Sequence, residues 1–157
     1  MSEYFTVKEV REDDVTSIGR CCAMAERYAS ESRWDITLPD DLHQKFKNVV
    51  YSESSVLLYV SKEAVPVGFA VVTYDGTFSV PPLGILYMFY ILPSYRATQA
   101  SIRLISGIIR MAKLDGCKYL FASTFSMIDE RTTKAFDRML ERQGFEALTP
   151  CYMKELV

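Results

Sequence analysis

Gly84-Ile85-Leu86-Tyr87-Met88-Phe89-Tyr90-Ile91-Leu92-Pro93-Ser94-Tyr95-Arg96 is the stretch that decides the fold. From Gly84 to Leu92 it holds no charged residue and does not alternate. A strand covered on both faces reads this way, so the segment is predicted to be a central strand with helices on either side. Pro93 ends it, because proline brings no N–H to a ladder. Pro93 to Arg96 is then a short loop.

Downstream, Thr98 to Leu114 has helical spacing, with Ser101, Ile105, Ile108, Ile109 and Ala112 on one face. Gly116 is a natural stop. Lys118 to Ala122 reads as a short strand, so the central strand, this helix and this strand form a parallel crossover. Ser126-Met127-Ile128-Asp129 has the form of a capping box. The helix after it is expected to bury Ala135, Phe136, Met139 and Leu140 and to stop at Gly144. Phe145 to Leu156 closes the domain as a strand, with a break at Pro150.

Upstream, Tyr4 to Val10 alternates and is rich in β-formers, which predicts a first strand. Acidic Glu12, Asp13 and Asp14 open a helix, favourably placed for its dipole. Its stripe is Val15, Ile18, Cys22, Ala25 and Ala29. Ser30 to Leu38 is a loop. A second helix is expected from Pro39, with His43, Phe46 and Val49. Ser55–Ser61 and Pro66–Tyr74 are strands joined by a turn at Lys62–Val65, and Asp75-Gly76 turns the chain again. The order is β-α-α-β-β-β-α-β-α-β, a single domain over residues 1–157.

Bulk properties narrow the function. The chain has 157 residues, 49% hydrophobic and 24% charged, as a one-core globular domain does. A formal charge of −2 argues against nucleic acid as the main partner. Cys21, Cys22, Cys117 and Cys151 form no C-x-x-C pair, and His43 is the sole histidine, so no metal site is expected. Free thiols suit a reducing compartment. No basic start precedes an apolar stretch, and no apolar run is long enough for a spanning helix. A cytoplasmic protein with no membrane association is expected.

The element order and two motifs resemble the GNAT family of N-acetyltransferases. Pro93-Ser94-Tyr95-Arg96 is similar to the P-x-Y-R after the family's fourth strand. Glu141-Arg142-Gln143-Gly144-Phe145 is similar to the E-K-L-G-F after its last helix. Tyr152-Met153-Lys154-Glu155-Leu156 also looks familial, so the resemblance covers nearly the whole chain. The compact length and the loop from Ser94 to Ala100 resemble GNAT-like proteins encoded by bacteriophages.

The resemblance implies an α/β (α+β) fold: a central mixed, mostly antiparallel sheet with splayed fourth and fifth strands, flanked by about four helices. It implies acetyl-CoA as co-substrate and an amine acceptor, small molecule or protein; a homodimer or another protein partner is compatible with it. Carried over, pantetheine would meet Met88 to Leu92, chiefly Phe89, Tyr90, Ile91 and Leu92. The pyrophosphate would meet Arg96, Ala97, Thr98, Gln99, Ala100 and Ser101 at the following helix start, where exposed N–H groups and the dipole bind anions.

The chain departs from the family here. The usual R/Q-x-x-G-x-G/A reads Arg96-Ala97-Thr98-Gln99-Ala100-Ser101, with no glycine between Gly84 and Gly107. Glycine gives φ freedom and close approach to a phosphate. Two readings stand: a cradle of small and hydroxyl residues, or a plain connection in a protein that has lost its cofactor.

The customary catalytic groups are missing too. No carboxylate lies between Asp75 and Asp115, and the candidate inward positions hold Ile85, Tyr87 and Phe89. The last helix has Leu140 where a tyrosine acid often stands. Substitute hydroxyls are Tyr87, Tyr152 and Ser123, with Tyr90 and Thr124 behind them; His43 has the pKa class of a base. Glu31-Ser32-Arg33-Trp34-Asp35 holds the sole Trp in a mixed-charge loop. Arg131, Lys134, Arg138 and Arg142 follow helical spacing and suit either solvent or an acidic partner. The functional alternatives are an N-acetyltransferase and a non-catalytic GNAT-fold protein acting through protein contacts.

Overall fold

A computed structural model of the chain describes residues 4–123, 129–148 and 154–156. The elements are β1 (Phe5–Glu9), α1 (Val15–Glu31), α2 (Leu42–Tyr51), β2 (Ser55–Lys62), β3 (Val65–Asp75), β4 (Leu83–Ile91), α3 (Ala100–Leu114), β5 (Leu120–Ala122) and α4 (Glu130–Arg142). A single 3₁₀ turn, Pro93–Tyr95, follows β4. The five strands form one sheet in chain order, antiparallel from β1 to β4 and parallel between β4 and β5. This is the expected mixed sheet with four helices.

Local chemistry sets the element ends. Asp14 caps α1 by accepting from the Ser17 amide at 3.0 Å. Asp129 does the same for α4, accepting from Thr132 at 2.7 Å. Of the expected capping box, Ser126, Met127 and Ile128 lie outside the described residues. At the far end of α4, Gly144 takes φ +88° and Phe145 N–H closes back on the Leu140 carbonyl at 3.0 Å. The β2–β3 turn puts Glu63 and Ala64 in the left-handed region, where a two-residue hairpin needs its turn residues.

The sheet has a core on each face. One, under α3 and α4, holds Phe5, Leu58, Val72, Phe89, Ile91, Leu104, Ile108 and Phe136. The other, under α1 and α2, holds Ile18, Cys21, Met24, Phe46, Leu57, Phe69 and Tyr90. The β4 strand contributes to both, which explains its lack of alternation.

Several expectations are corrected. The core cysteine of α1 is Cys21, fully buried, and Cys22 is half-buried. The helix turns one position further than the stripe Val15-Ile18-Cys22 assumed, so Val15 is exposed. Pro39 is not helical: its carbonyl accepts from Leu42 N–H in the turn before α2. Ala135 is exposed and Met139 half-buried, leaving Phe136 and Leu140 as the buried side chains of α4. The strand before α4 is shorter than Lys118–Ala122. No strand is formed by 145–148 or 154–156, and the rest of the expected C-terminal strand lies outside the described residues.

Candidate active site

β5 pairs with β4 only at Gly84, Ile85 and Leu86. Beyond Leu86 the strands part, so Tyr87–Ile91 has an open edge among the described residues. The opposite edge of β4 is bound to β3. Leu92 N–H continues that direction, donating to the Val67 carbonyl at 2.9 Å. Backbone groups alternate along an antiparallel strand, so N–H and C=O of Phe89 and Ile91 point into the opening.

A bulge shapes this edge. Val71 pairs with Met88 and Val72 with Leu86, which leaves Tyr87 as an extra residue. The bulge reverses the side-chain phase. Leu86 faces the α3 core, Met88 the α1 core, and Phe89 the α3 core again. Ile85, Tyr87 and Phe89 therefore do not share a face, contrary to the reading from alternation. Phe89 is buried against Phe136, ring centroids 4.8 Å apart. Tyr87 is 70% exposed. Ser123 directly follows Ala122, the last residue paired with Leu86, so Tyr87 and Ser123 stand where the strands separate.

The opening leads into a groove of about 820 Å³. Phe89, Tyr90 and Ile91 line its base. Arg96, Ala97, Thr98, Ser101 and Ile102 form one side, and α4 forms the other. The structure thus gathers most of the cofactor residues expected from sequence at one groove. Leu92, Gln99 and Ala100 do not line it, though Gln99 and Ala100 belong to the same loop and helix start.

The glycine-free loop needs no glycine conformation. Gln99 sits at φ −69°, ψ −7°, and the non-glycine residues at positive φ are Glu63 and Ala64 among those described. Thr98 Oγ1 donates to the Tyr95 carbonyl at 2.6 Å and accepts from Ala100 N–H at 3.3 Å. Among the described residues, no backbone partner is found for the amides of Ser101 and Ile102. These are the first-turn donors that a helix leaves over for an anion.

Arg96 and Tyr90 line the groove and also share a contact with α1. The Arg96 guanidinium donates to Glu31 Oε2 at 2.9 Å, and its Nε donates to the Ile91 carbonyl at 2.9 Å. The Tyr90 hydroxyl donates to the same Glu31 oxygen at 2.6 Å, with the ring buried toward α1. Burial, then the bond to Glu31, pushes this phenol up to about 12. The sequence places Glu31 in the mixed-charge loop Glu31–Asp35, but it is the last residue of α1, and only packing brings it to Arg96, 65 residues away.

Tyr152 and Thr124 lie outside the described residues. Ser123 lines a separate hollow of about 1130 Å³ beside β5 and the ends of α3 and α4. His43 is half-buried on α2 and does not line the groove. Trp34 lies under the Arg33 guanidinium, 4.7 Å from the ring centroid. Leu140, at the customary acid position, is core. Arg131, Arg138 and Arg142 face the groove. Among the described residues no cluster could hold a metal ion, and no helix is long and apolar enough to cross a membrane.

A five-stranded sheet opened between β4 and β5, with a helix start facing the gap, defines an acetyltransferase-type fold. The chain belongs to the acetyltransferase (GNAT) family, whose model matches residues 20–145. No curated protein matches it in sequence. Among solved structures it is similar to aminoglycoside N-acetyltransferase AAC(6')-Iy in complex with CoA: TM-score 0.77, 14% identity, covering 99% of this chain and 97% of that one. An aminoglycoside acetyltransferase from an uncultured soil metagenomic sample, in complex with sisomicin, is also similar: TM-score 0.75, 13% identity, 98% and 97% covered. So is a transcriptional regulator from Bacillus halodurans: TM-score 0.73, 19% identity, 98% and 100% covered.

Proposed function

We propose that the protein is an N-acetyltransferase that takes the acetyl group of acetyl-CoA to an amine. The observation that carries this reading is the unpaired Tyr87–Ile91 edge of β4, which runs into the groove at the start of α3. An edge of this kind accepts an extended amide chain as an added strand. Phe89 supplies N–H and C=O, and Ile91 supplies N–H, its carbonyl being held by Arg96. The amides of Ser101 and Ile102, with Thr98 and Ser101 hydroxyls beside them, suit a pyrophosphate. Two of the similar structures are complexes with CoA or a CoA bisubstrate analogue, which agrees with this use of the groove.

The thioester supplies an activated acetyl carbon. The amine nitrogen attacks it, the C–S bond breaks, the amine loses a proton and the thiolate gains one. Tyr87, exposed just past the last β4–β5 pair and outside the residues that line the groove, is assigned the proton for the thiolate. Ser123, which follows β5 and lines the neighbouring hollow, is assigned the orientation of an amine or water that enters from that side. No carboxylate base is required where the acceptor amine is already neutral.

A second reading has its own support. The β4 carboxylate and the α4 tyrosine are both missing, and Arg96 is bound to Glu31 rather than free for a phosphate. A protein that keeps the fold and acts through protein contacts would look this way. Calorimetric titration with acetyl-CoA and CoA separates the two. Micromolar binding, followed by acetylation in a screen of aminoglycosides, polyamines and peptide amines, supports the enzyme. No heat at millimolar ligand rejects it and favours the binding protein.

A further inference from the structure

We propose that Arg131, Arg138 and Arg142 of α4 form the anion-binding wall of the groove and hold the phosphates at the nucleotide end of CoA, in place of the loop cation. The proposal rests on the reading of the groove as an acyl-CoA site and adds which residues of this chain recognise its charge.

Spacing places these residues together. Arg131, Ala135, Arg138 and Arg142 recur at three- and four-residue steps, one stripe of a helix. That stripe lines the groove over about 16 Å of helix. Lys134, off the stripe, is bound to Glu130 at 2.8 Å. Among the described residues, none of the three arginines is paired with a carboxylate. Three unneutralised guanidinium groups on one wall, in a chain of net charge −2, are a concentrated cationic surface.

The opposite wall explains why α4 is needed. The loop arginine, Arg96, is committed to Glu31 and the Ile91 carbonyl. Beside that pair the wall offers neutral donors, the Ser101 and Ile102 amides and the Thr98 and Ser101 hydroxyls. Asp129 is the carboxylate among the described lining residues, and it is occupied as the cap of α4, accepting from the Thr132 amide. The groove therefore offers oriented N–H groups on one side and fork-shaped cations on the other. Guanidinium groups bind phosphate oxygens in pairs. A cationic acceptor would be repelled from this wall, which favours an anionic occupant there.

The test is binding of CoA, dephospho-CoA and pantetheine to the wild type and to Arg131→Gln, Arg138→Gln, Arg142→Gln and Lys134→Gln. All four positions are exposed, and circular dichroism checks the fold. Each arginine variant is expected to bind CoA about three- to tenfold more weakly at low salt, with less salt dependence. Pantetheine binding, and Lys134→Gln with CoA, are expected to match the wild type. Wild-type binding of CoA with arginine variants no weaker than Lys134→Gln overturns the arginine wall and leaves the acetyltransferase reading intact. Equal losses for CoA and pantetheine overturn it as well, because the effect is then not on phosphate. A wild type that binds no CoA overturns both.

Discussion

Glu31 at the end of α1 and Arg96 beyond β4 are joined through one carboxylate oxygen, 2.9 Å from the guanidinium, and the buried Tyr90 hydroxyl donates to that same oxygen at 2.6 Å. The Arg96 side chain also passes over the Tyr90 ring, 5.4 Å from its centroid. The cluster ties α1 to the loop that opens α3. Glu31→Ala leaves a buried phenol and a guanidinium without their acceptor. The expected loss is about 1–3 kcal/mol by denaturant titration. Glu31→Gln keeps an oxygen for Tyr90 and should lose less. An unchanged midpoint for the alanine variant would mean the tether adds nothing to stability.

Tyr87→Phe tests the assigned acid. The side chain is 70% exposed, so its hydroxyl carries little packing. Turnover should fall about a hundredfold, with the thermal midpoint unchanged. Full turnover by the phenylalanine variant would remove Tyr87 from the chemistry.

Two buried phenols set an alkaline limit. Tyr74 and Tyr90 are both pushed from 10.0 up to about 12, in each case first by burial. The unfolded chain then loses these protons before the folded one does. Their contribution is complete below pH 10 and is lost progressively as pH rises toward 12. The thermal midpoint should decline across that window, and less steeply in Tyr90→Phe. At neutral pH the two tyrosines differ. The Tyr74 hydroxyl has no partner among the described residues, so Tyr74→Phe should be neutral or stabilising, whereas Tyr90→Phe removes a bond.

Gly68 makes room for the β4 edge. A Cβ there would strike the Ile91 side chain and lie 2.8 Å from the Tyr90 carbonyl oxygen and 3.1 Å from Val60 Cγ1. Backbone cannot give way cheaply, so Gly68→Ala should cost about 1–3 kcal/mol and weaken CoA binding by shifting Tyr90 and Ile91. Gly19, inside α1, meets nothing within 4 Å, and Gly19→Ala should stabilise by about 0.5–1 kcal/mol. Equal effects at both sites in calorimetric scans would refute the close-contact argument.

Much of the fold is legible without tertiary information, because it is written in neighbouring residues. Asp14 before an apolar stripe, Gly116 and Gly144 after one, and Pro93 after a continuous apolar run each mark an element end. The site is less legible. Tyr90 sits in the same run as Ile91, yet its side chain turns to α1 while Ile91 turns to α3. The bulge at Tyr87 resets the phase, and no glycine or proline announces it.

The sequence by itself determined the order of strands and helices from β1 to α4, the family motif around Pro93 and Arg96, and the absence of glycine from the loop that follows. These rest on periodicity and backbone preference, which act over a few residues. Only the tertiary structure decided that the loop keeps an ordinary helical backbone without glycine and that Arg96 belongs to Glu31. It alone turned the arginines of α4 toward the groove. Those outcomes depend on which surfaces pack together across 65 residues of chain or across the sheet, and local pattern carries no record of that.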